Sequence, residues 1–378
     1  MMLACQSIVG SSGSIELHTG IRDGTVREDR DLVEFLGSED PDVISLMERS
    51  ISGRIVKSFG KDGIVYDLSA VKYYGSGNDL AKYGHYYHSN GGNREINFVM
   101  AVTRTAGIPV HHRIMPGNIV SVSTVRNFAT ELSYYLMRGV MVVMDRGFYS
   151  RKNVDELKDF SVIGVIPSTL SLHWDLPVRS RRIENSRNYI QYGNETVFFM
   201  EHRIQPVRYI VYFSAKRRAE KIEVFYSRLW DMESDLRDLQ HKEFENAQDM
   251  TKTVMSACGD MLKYVDIETA EKAFTYRLKH NAIHARTNRM GFFILFTNTI
   301  LCAHEVLKIY RQKDMVEKAF MHSKSNMEPI YARKERGSRA RMFLSVLTDA
   351  GKPMMKQWRY CQASKKSSTQ TVYIPRWS

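Results

Sequence analysis

The five residues Val140–Met144 (VMVVM) are apolar without a break and end on Asp145. A strand with one wet face alternates apolar and polar residues. Five apolar residues in a row suit a strand buried on both faces, the kind found in parallel sheets covered by helices. That run commits the chain to an α/β architecture, and its neighbours can be ordered around it. Ile64–Val71 and Asn97–Thr103 read as strands. After the Ala106-Gly107 turn signal, Ile108–Met115 reads as a third, stopped by Pro116-Gly117-Asn118. Val122–Met137 has helical spacing, with Val125, Phe128, Ala129, Leu132 and Leu136 on one face. After Val140–Met144 come a helix at about Lys152–Lys158 and a strand at Val162–Ile166. Strand, strand, strand, helix, strand, helix, strand is the order of an RNase H-like core.

The rest of the chain divides around that core. Residues 1–60 form a short N-terminal region, helical from about Asp42 to Val56, and residues 61–167 form the first part of the core. Between 168 and 285 the pattern breaks. Tyr189–Met200 and Arg208–Phe213 look like antiparallel strands, and Glu220–Gln240 is a strong helix. Its stripe of Ile222, Phe225, Leu229, Met232, Leu236 and Leu239 suits packing within the domain or a coiled-coil partner. The core resumes over 286–347, with a buried-strand run at Gly291–Thr297 and a helix expected from about Ala303 to Ser323; 348–378 is a basic tail. The fold class expected is α/β, an RNase H-like mixed-sheet catalytic core interrupted by a mostly β insertion subdomain with a long helix.

Composition narrows the function. With 43% hydrophobic and 25% charged residues, the 378-residue chain is globular. No stretch approaches eighteen consecutive apolar residues, and the N-terminus lacks a basic region before its apolar patch, so neither a membrane span nor a signal peptide is expected. Cys5, Cys258, Cys302 and Cys361 form no CxxC pair, which fits a reducing cytoplasm. The net charge of +12 favours a polyanionic partner, nucleic acid first. From 330 to 378 eleven Lys/Arg face only Glu335 and Asp349 (11 − 2 = 9), although such a block can also be a plain solvated tail.

Two aspartates carry the chemistry. Asp67 interrupts the first strand, where an acid is disfavoured and costly to bury alone. Asp145 caps Val140–Met144, and sites in open α/β sheets lie beyond such strand ends. Each also has an ordinary reading, a solvent-facing edge position for Asp67 and a strand-end turn for Asp145. Neighbouring central strands would bring both carboxylates to one end of the sheet. Two carboxylates there suit Mg²⁺ (or Mn²⁺), bound as two ions with phosphate oxygens completing the shell. On a helix over Tyr310–Lys324, Tyr310, Lys313, Glu317 and Lys324 would share one face, a carboxylate flanked by cations and a phenol. A surface helix with ordinary Lys–Glu pairs would look the same. The histidines His85, His88, His111, His112, His280 and His284 complete no zinc pattern, so surface placement or DNA contact is expected of them.

The spacing Y-x-x-K-x-x-x-E-x-x-x-x-x-x-K from Tyr310 to Lys324 resembles the Y-R-E-K signature of a large branch of DDE-type insertion-sequence transposases, the insertion sequence family four superfamily. IVYDLSAV, GIPVHHRIMPGN, VVMDRGFYS and GFFILFTN are similar to that branch's other motifs, in order, over about Gly63 to Leu347. The resemblance implies Asp67, Asp145 and Glu317 as the catalytic, metal-binding triad, and Tyr310, Lys313, Lys324 and Arg146 as DNA contacts. Lys313 replaces the usual arginine, which keeps the charge but loses the bidentate fork. Asn118 falls at a position that implies a structural role near the site. The gap from Asp145 to Glu317 (317 − 145 = 172) resembles members with an inserted subdomain. The region ahead of Asp67 is short beside the family's end-recognising part, so truncation is one expectation.

The implied protein is a prokaryotic, nucleoid-associated DNA transposase that cleaves transposon ends and transfers strands into target DNA. Its partners would be double-stranded DNA with terminal inverted repeats and a second copy of itself on paired ends. A non-catalytic remnant that binds DNA and an RNase H-like nuclease without strand transfer are the alternatives.

Overall fold

Gly63 opens the first strand at a place only glycine fits. Its φ is +104°, and a Cβ there would meet the Met141 carbonyl oxygen at 2.8 Å, so the strand that follows it, Ile64–Lys72, can approach the strand Met141–Met144 closely at its start. The computed structural model describes residues 41–84, 94–134, 140–180, 182–270 and 273–313, with 317–318, 321, 335 and 339. The expectations for 1–40, His85, His88, Leu136, Cys5, Cys361, Lys324 and the basic tail lie outside the described residues.

The chain forms two compact units, one from Met1–Val165 with Thr297–Ser378 and the other from Ile166–Phe296. In the first, α1 (Pro41–Phe59) precedes β1 (Ile64–Lys72), the short β2 (Lys82–Tyr83), β3 (Arg94–Thr103) and β4 (Pro109–Pro116). A 3₁₀ turn at Ser121–Thr124 leads into α2 (Val125–Tyr134), followed by β5 (Met141–Met144), α3 (Arg151–Glu156) and β6 (Ser161–Val165). The strand order is β3-β1-β5-β6, with β4 and β2 both pairing the outer side of β3. β1 runs antiparallel to β3 and parallel to β5, and β5 runs parallel to β6. Three antiparallel strands followed by two parallel ones give the mixed sheet and the RNase H-like order expected from the sequence.

Both faces of this sheet are covered, as Val140–Met144 required: Val142 and Val143 are 0% exposed and Met144 1%. On one face Tyr66 stacks on Phe128 of α2 at 3.7 Å between ring centroids, with Phe148 beside it. On the other, Val65, Phe98, Met100, Val102 and Val143 pack together and receive Ile309 and Tyr310. These last two come from α8 (Ala303–Arg311), which closes the unit. The Pro116-Gly117-Asn118 turn is closed by Ile119 N–H to Pro116 O at 3.0 Å. Buried Asn97 donates from Nδ2 to the Gly117 and Ile119 carbonyls, and Asn118 itself is exposed, so Asn97 fixes this loop.

Two expectations are corrected here. The helix expected from Ala303 to Ser323 is interrupted. Its first stretch ends at Arg311, the amides of Gln312 and Lys313 reach back only three residues, to Ile309 and Tyr310, and Glu317, Lys318 and Met321 are helical again. The Gln312 side chain is held instead by Arg104, whose Nη1 donates to its Oε1 while Nε donates to the Asp62 carbonyl at 2.7 Å. A tertiary contact thus overrides good helix formers. His111 and His112 do not lie on the surface either. His112 Nδ1 is 2.9 Å from Glu48 of α1, His111 Nδ1 faces Glu131 of α2 at 3.1 Å, and Arg113 bridges both glutamates at 2.7 and 2.8 Å. His280 and His284 are exposed, on the helix His280–Thr287 of the second unit.

The second unit begins with α4 (Ser171–Arg179). Then β7 (Tyr189–Tyr192), β8 (Glu195–Ile204) and β9 (Val207–Phe213) form an antiparallel meander. The first strand expected there is thus a hairpin, broken at Gly193-Asn194 with Gly193 at φ +56°. α5 (Ala215–Gln240), α6 (Ala247–Cys258), the hairpin β10 (Val265–Thr269) and β11 (Phe274–Leu278), α7 (His280–Thr287) and β12 (Phe292–Thr297) follow. Phe225, Leu229, Met232 and Leu236 of α5 are buried against Met250 and Val254 of α6, so the apolar stripe packs inside its own unit. With four helices among the described residues, this segment holds more helix than a mostly β insertion would. Trp174 lies under the Arg289 guanidinium, 4.0 Å from its ring centroid.

Candidate active site

The β1–β5 register sets the first two acids side by side. Tyr66 pairs with Met144, so Asp67 and Asp145 each follow by one residue on neighbouring parallel strands. Side chains alternate along a strand. With Tyr66 pointing to Phe128, Asp67 points to the opposite face, where Tyr310 packs. Burial pushes the Asp67 carboxyl up to about 7, and the charges of Asp145 and Glu317 add to it against the Leu68 N–H and Lys313. Asp145 differs. Burial would raise it too, but the Lys313 ammonium and the bonds from the Arg146 N–H, Lys313 and Tyr310 hold it below the usual carboxylate range. Neighbouring acids in environments that push them apart are a mark of a functional site.

The later segment closes on Asp145. The Tyr310 hydroxyl donates to Asp145 Oδ1 at 3.1 Å, and Lys313 Nζ donates to Oδ2 at 3.2 Å. Lys313 Nζ also lies 3.3 Å from Glu317 Oε1. The phenol, the ammonium and the two other carboxylates that the sequence singled out therefore gather at one strand end. They do so although the helix that the spacing suggested is interrupted, with Lys313 in the turn beyond α8 and Glu317 helical again after it. Arg146 is exposed beside Asp145. Lys324 lies outside the described residues.

Oxygen donors alone would suit a hard divalent cation. The cation that Asp145 and Glu317 share in this structure is the Lys313 ammonium. Among the described residues no three His, Cys, Asp or Glu side chains stand close enough together to hold a metal ion. The sequence did not point to Arg104 and Gln312, which set the chain path into Lys313; their partners are 208 residues apart.

No family model and no curated protein matches the chain. Among solved structures it is similar to a piggyBac transposase synaptic complex with hairpin DNA, at 12% identity and a TM-score of 0.41 over 88% of this chain and 57% of that one. It is also similar to a Mos1 transposase paired-end complex with left transposon end, at 12% identity and a TM-score of 0.20 over 33% of this chain and 43% of that one. This chain therefore spans little more than half of the first protein and less than half of the second. Both likenesses are distant, and the fold assignment rests on the strand order itself. Among the described residues, no helix is long and apolar enough to cross a membrane.

Proposed function

We propose that this chain is a DNA transposase of the DDE type, acting in DNA transposition and recombination, with Asp67, Asp145 and Glu317 as its acidic triad. The observation that carries the reading is the meeting of Tyr310 and Lys313 with Asp145, at 3.1 and 3.2 Å, over 165 and 168 residues of sequence. A lone acid at a strand end has no need of such an arrangement. An acid that must be oriented beside a phosphodiester does.

The carboxylates of Asp67, Asp145 and Glu317 would hold one or two Mg²⁺ or Mn²⁺ ions. When bound, these supply activation of the attacking hydroxyl and charge stabilisation of the leaving oxygen. The chain's own groups then have distinct tasks. Asp145, held charged by its neighbours, presents a carboxylate and not a neutral acid at neutral pH. The Tyr310 hydroxyl fixes the rotamer of that carboxylate. Lys313 and exposed Arg146 offer positive charge to phosphate oxygens next to it. Both end cleavage and strand transfer are in-line displacements at phosphorus, so one site serves both. Two copies pairing two DNA ends complete the proposed assembly.

The test uses the full chain and duplex DNA made from the sequences that flank its coding region, where the proposal expects inverted repeats. Asp145→Asn should lower end cleavage in Mg²⁺ by about a thousandfold or more, with end binding in a gel shift unchanged within about threefold. Cleavage by the variant at the wild-type rate would overturn the assignment. Pre-cleaved ends offered with target DNA separate a transposase, which gives joined products, from a nuclease, which gives none.

A further inference from the structure

Lys313 stands where the acidic site would need its positive charge. Its Nζ lies 3.2 Å from Asp145 Oδ2 and 3.3 Å from Glu317 Oε1, and its side chain is 23% exposed, against 28% for Asp145 and 54% for Glu317. The oxygens that face the ammonium are ones a divalent ion would have to take. A monocation and a dication cannot both occupy that space, because at contact distance and half-buried they repel strongly. Without a cation the carboxylates of Asp145 and Glu317, each in contact with the ammonium, would stand near one another uncompensated. A lysine suits a temporary occupant. Its ammonium is a point charge on a flexible stem with three donors, free to swing, whereas an arginine fork would grip a carboxylate in two places.

We propose that Lys313 is a placeholder cation that couples metal loading to DNA binding. Resting on the reading of the site as a metal-dependent transposase centre, the inference gives an order of events. In the DNA-free chain the ammonium neutralises Asp145 and Glu317 and keeps divalent ions weakly bound. A DNA phosphate arriving at the site draws the ammonium to itself. The released carboxylate oxygens can then accept the metal ion. The centre is thereby kept from carrying a loaded metal in the absence of substrate.

The experiment titrates Mn²⁺ into the full-length chain, reading free Mn²⁺ by electron paramagnetic resonance, with and without a duplex made from the sequences that flank its coding region. Wild type, Lys313→Met and Lys313→Gln are compared, the second variant guarding against a packing defect. Without DNA, both variants should bind Mn²⁺ about tenfold or more tightly than wild type, a gain of about 1.4 kcal/mol. DNA should tighten Mn²⁺ binding by wild type by a similar factor and leave the variants nearly unchanged, by the reciprocity of linked binding. Thermal melting in chelator should show both variants less stable than wild type, with a larger rise on adding Mn²⁺. Equal or weaker Mn²⁺ binding by the variants would overturn the placeholder role while leaving the metal triad intact. Mn²⁺ binding by none of the three, with or without DNA, would overturn the triad reading and the placeholder with it.

Discussion

Asp67 is held in a strand interior where its own charge is unwelcome. Burial, with Asp145 and Glu317 nearby, moves its carboxyl from an ordinary 3.8 to about 7. Between those values the native chain keeps a proton that the unfolded chain has already released. Stability therefore falls as pH rises from about 4 to 7, and the full penalty remains above 7. At about 1.36 kcal/mol per unit the ceiling is roughly 4 kcal/mol, and partial exposure leaves about 1–3. Asp67→Asn removes the charge but keeps the shape. In chelator it should stabilise the chain by that amount at pH 8 and not at pH 4, as read by urea unfolding at each pH. A difference that is the same at both would show that Asp67 carries no such strain. A residue that costs stability in the resting protein fits a functional role better than a structural one, since the penalty would be relieved only by a bound cation.

At the scale of elements, the least legible feature is how α1 is fastened to the sheet. Glu48, 5% exposed, meets His112 and Arg113 of β4, and Arg113 passes on to Glu131 of α2. Burial would raise Glu48, but His112, Arg113 and His111 outweigh it and hold the carboxyl well below its usual range. Its contribution to stability is thus complete above about 4.5 and is lost as pH falls below that. Glu48→Gln should cost about 3–5 kcal/mol at pH 7, because it removes the buried carboxylate from Arg113, leaving that guanidinium only Glu131. The gap to wild type should narrow steadily as pH falls below about 4.5 in the same denaturation assay; a gap that stays constant would mean shape, not charge, is what Glu48 supplies. None of this was visible in the sequence, where Val110-His111-His112-Arg113 shows no sign of glutamates on two other elements. The end of α8 was hidden for the same reason, since Gln312 leaves the helix for an arginine 208 residues away. The strands were legible because burial on both faces leaves its mark locally, residue by residue, in Val140–Met144. So was the pairing of Asp67 with Asp145, which needs only strand order. The gathering of Tyr310, Lys313 and Glu317 was anticipated from a helical spacing that the structure interrupts with a turn at Gln312 and Lys313.

For the whole molecule, the excess of cations is the property that reaches furthest. The sequence has 54 Lys/Arg against 42 Asp/Glu, a surplus of twelve. In the first unit part of it is placed at the acidic site, as Lys313 and Arg146. In the second unit Arg218 and Arg289 line an open cavity of about 400 Å³, walled by Phe213, Phe292 and Asn288. Charge spread over both units suits a long polyanion better than a small ligand, because each cation can meet a separate phosphate. Counterion release then fixes the salt response: log affinity falls with log salt by about 0.9 for every phosphate neutralised on duplex DNA. If six to ten cations are engaged, affinity for duplex of any sequence should drop by about 10³–10⁵ between 50 and 200 mM salt. Fluorescence anisotropy with a labelled random duplex measures that slope directly. A slope near zero would mean that the charge serves solubility alone, and the DNA reading would then have to stand on the acidic site without help from the rest of the surface.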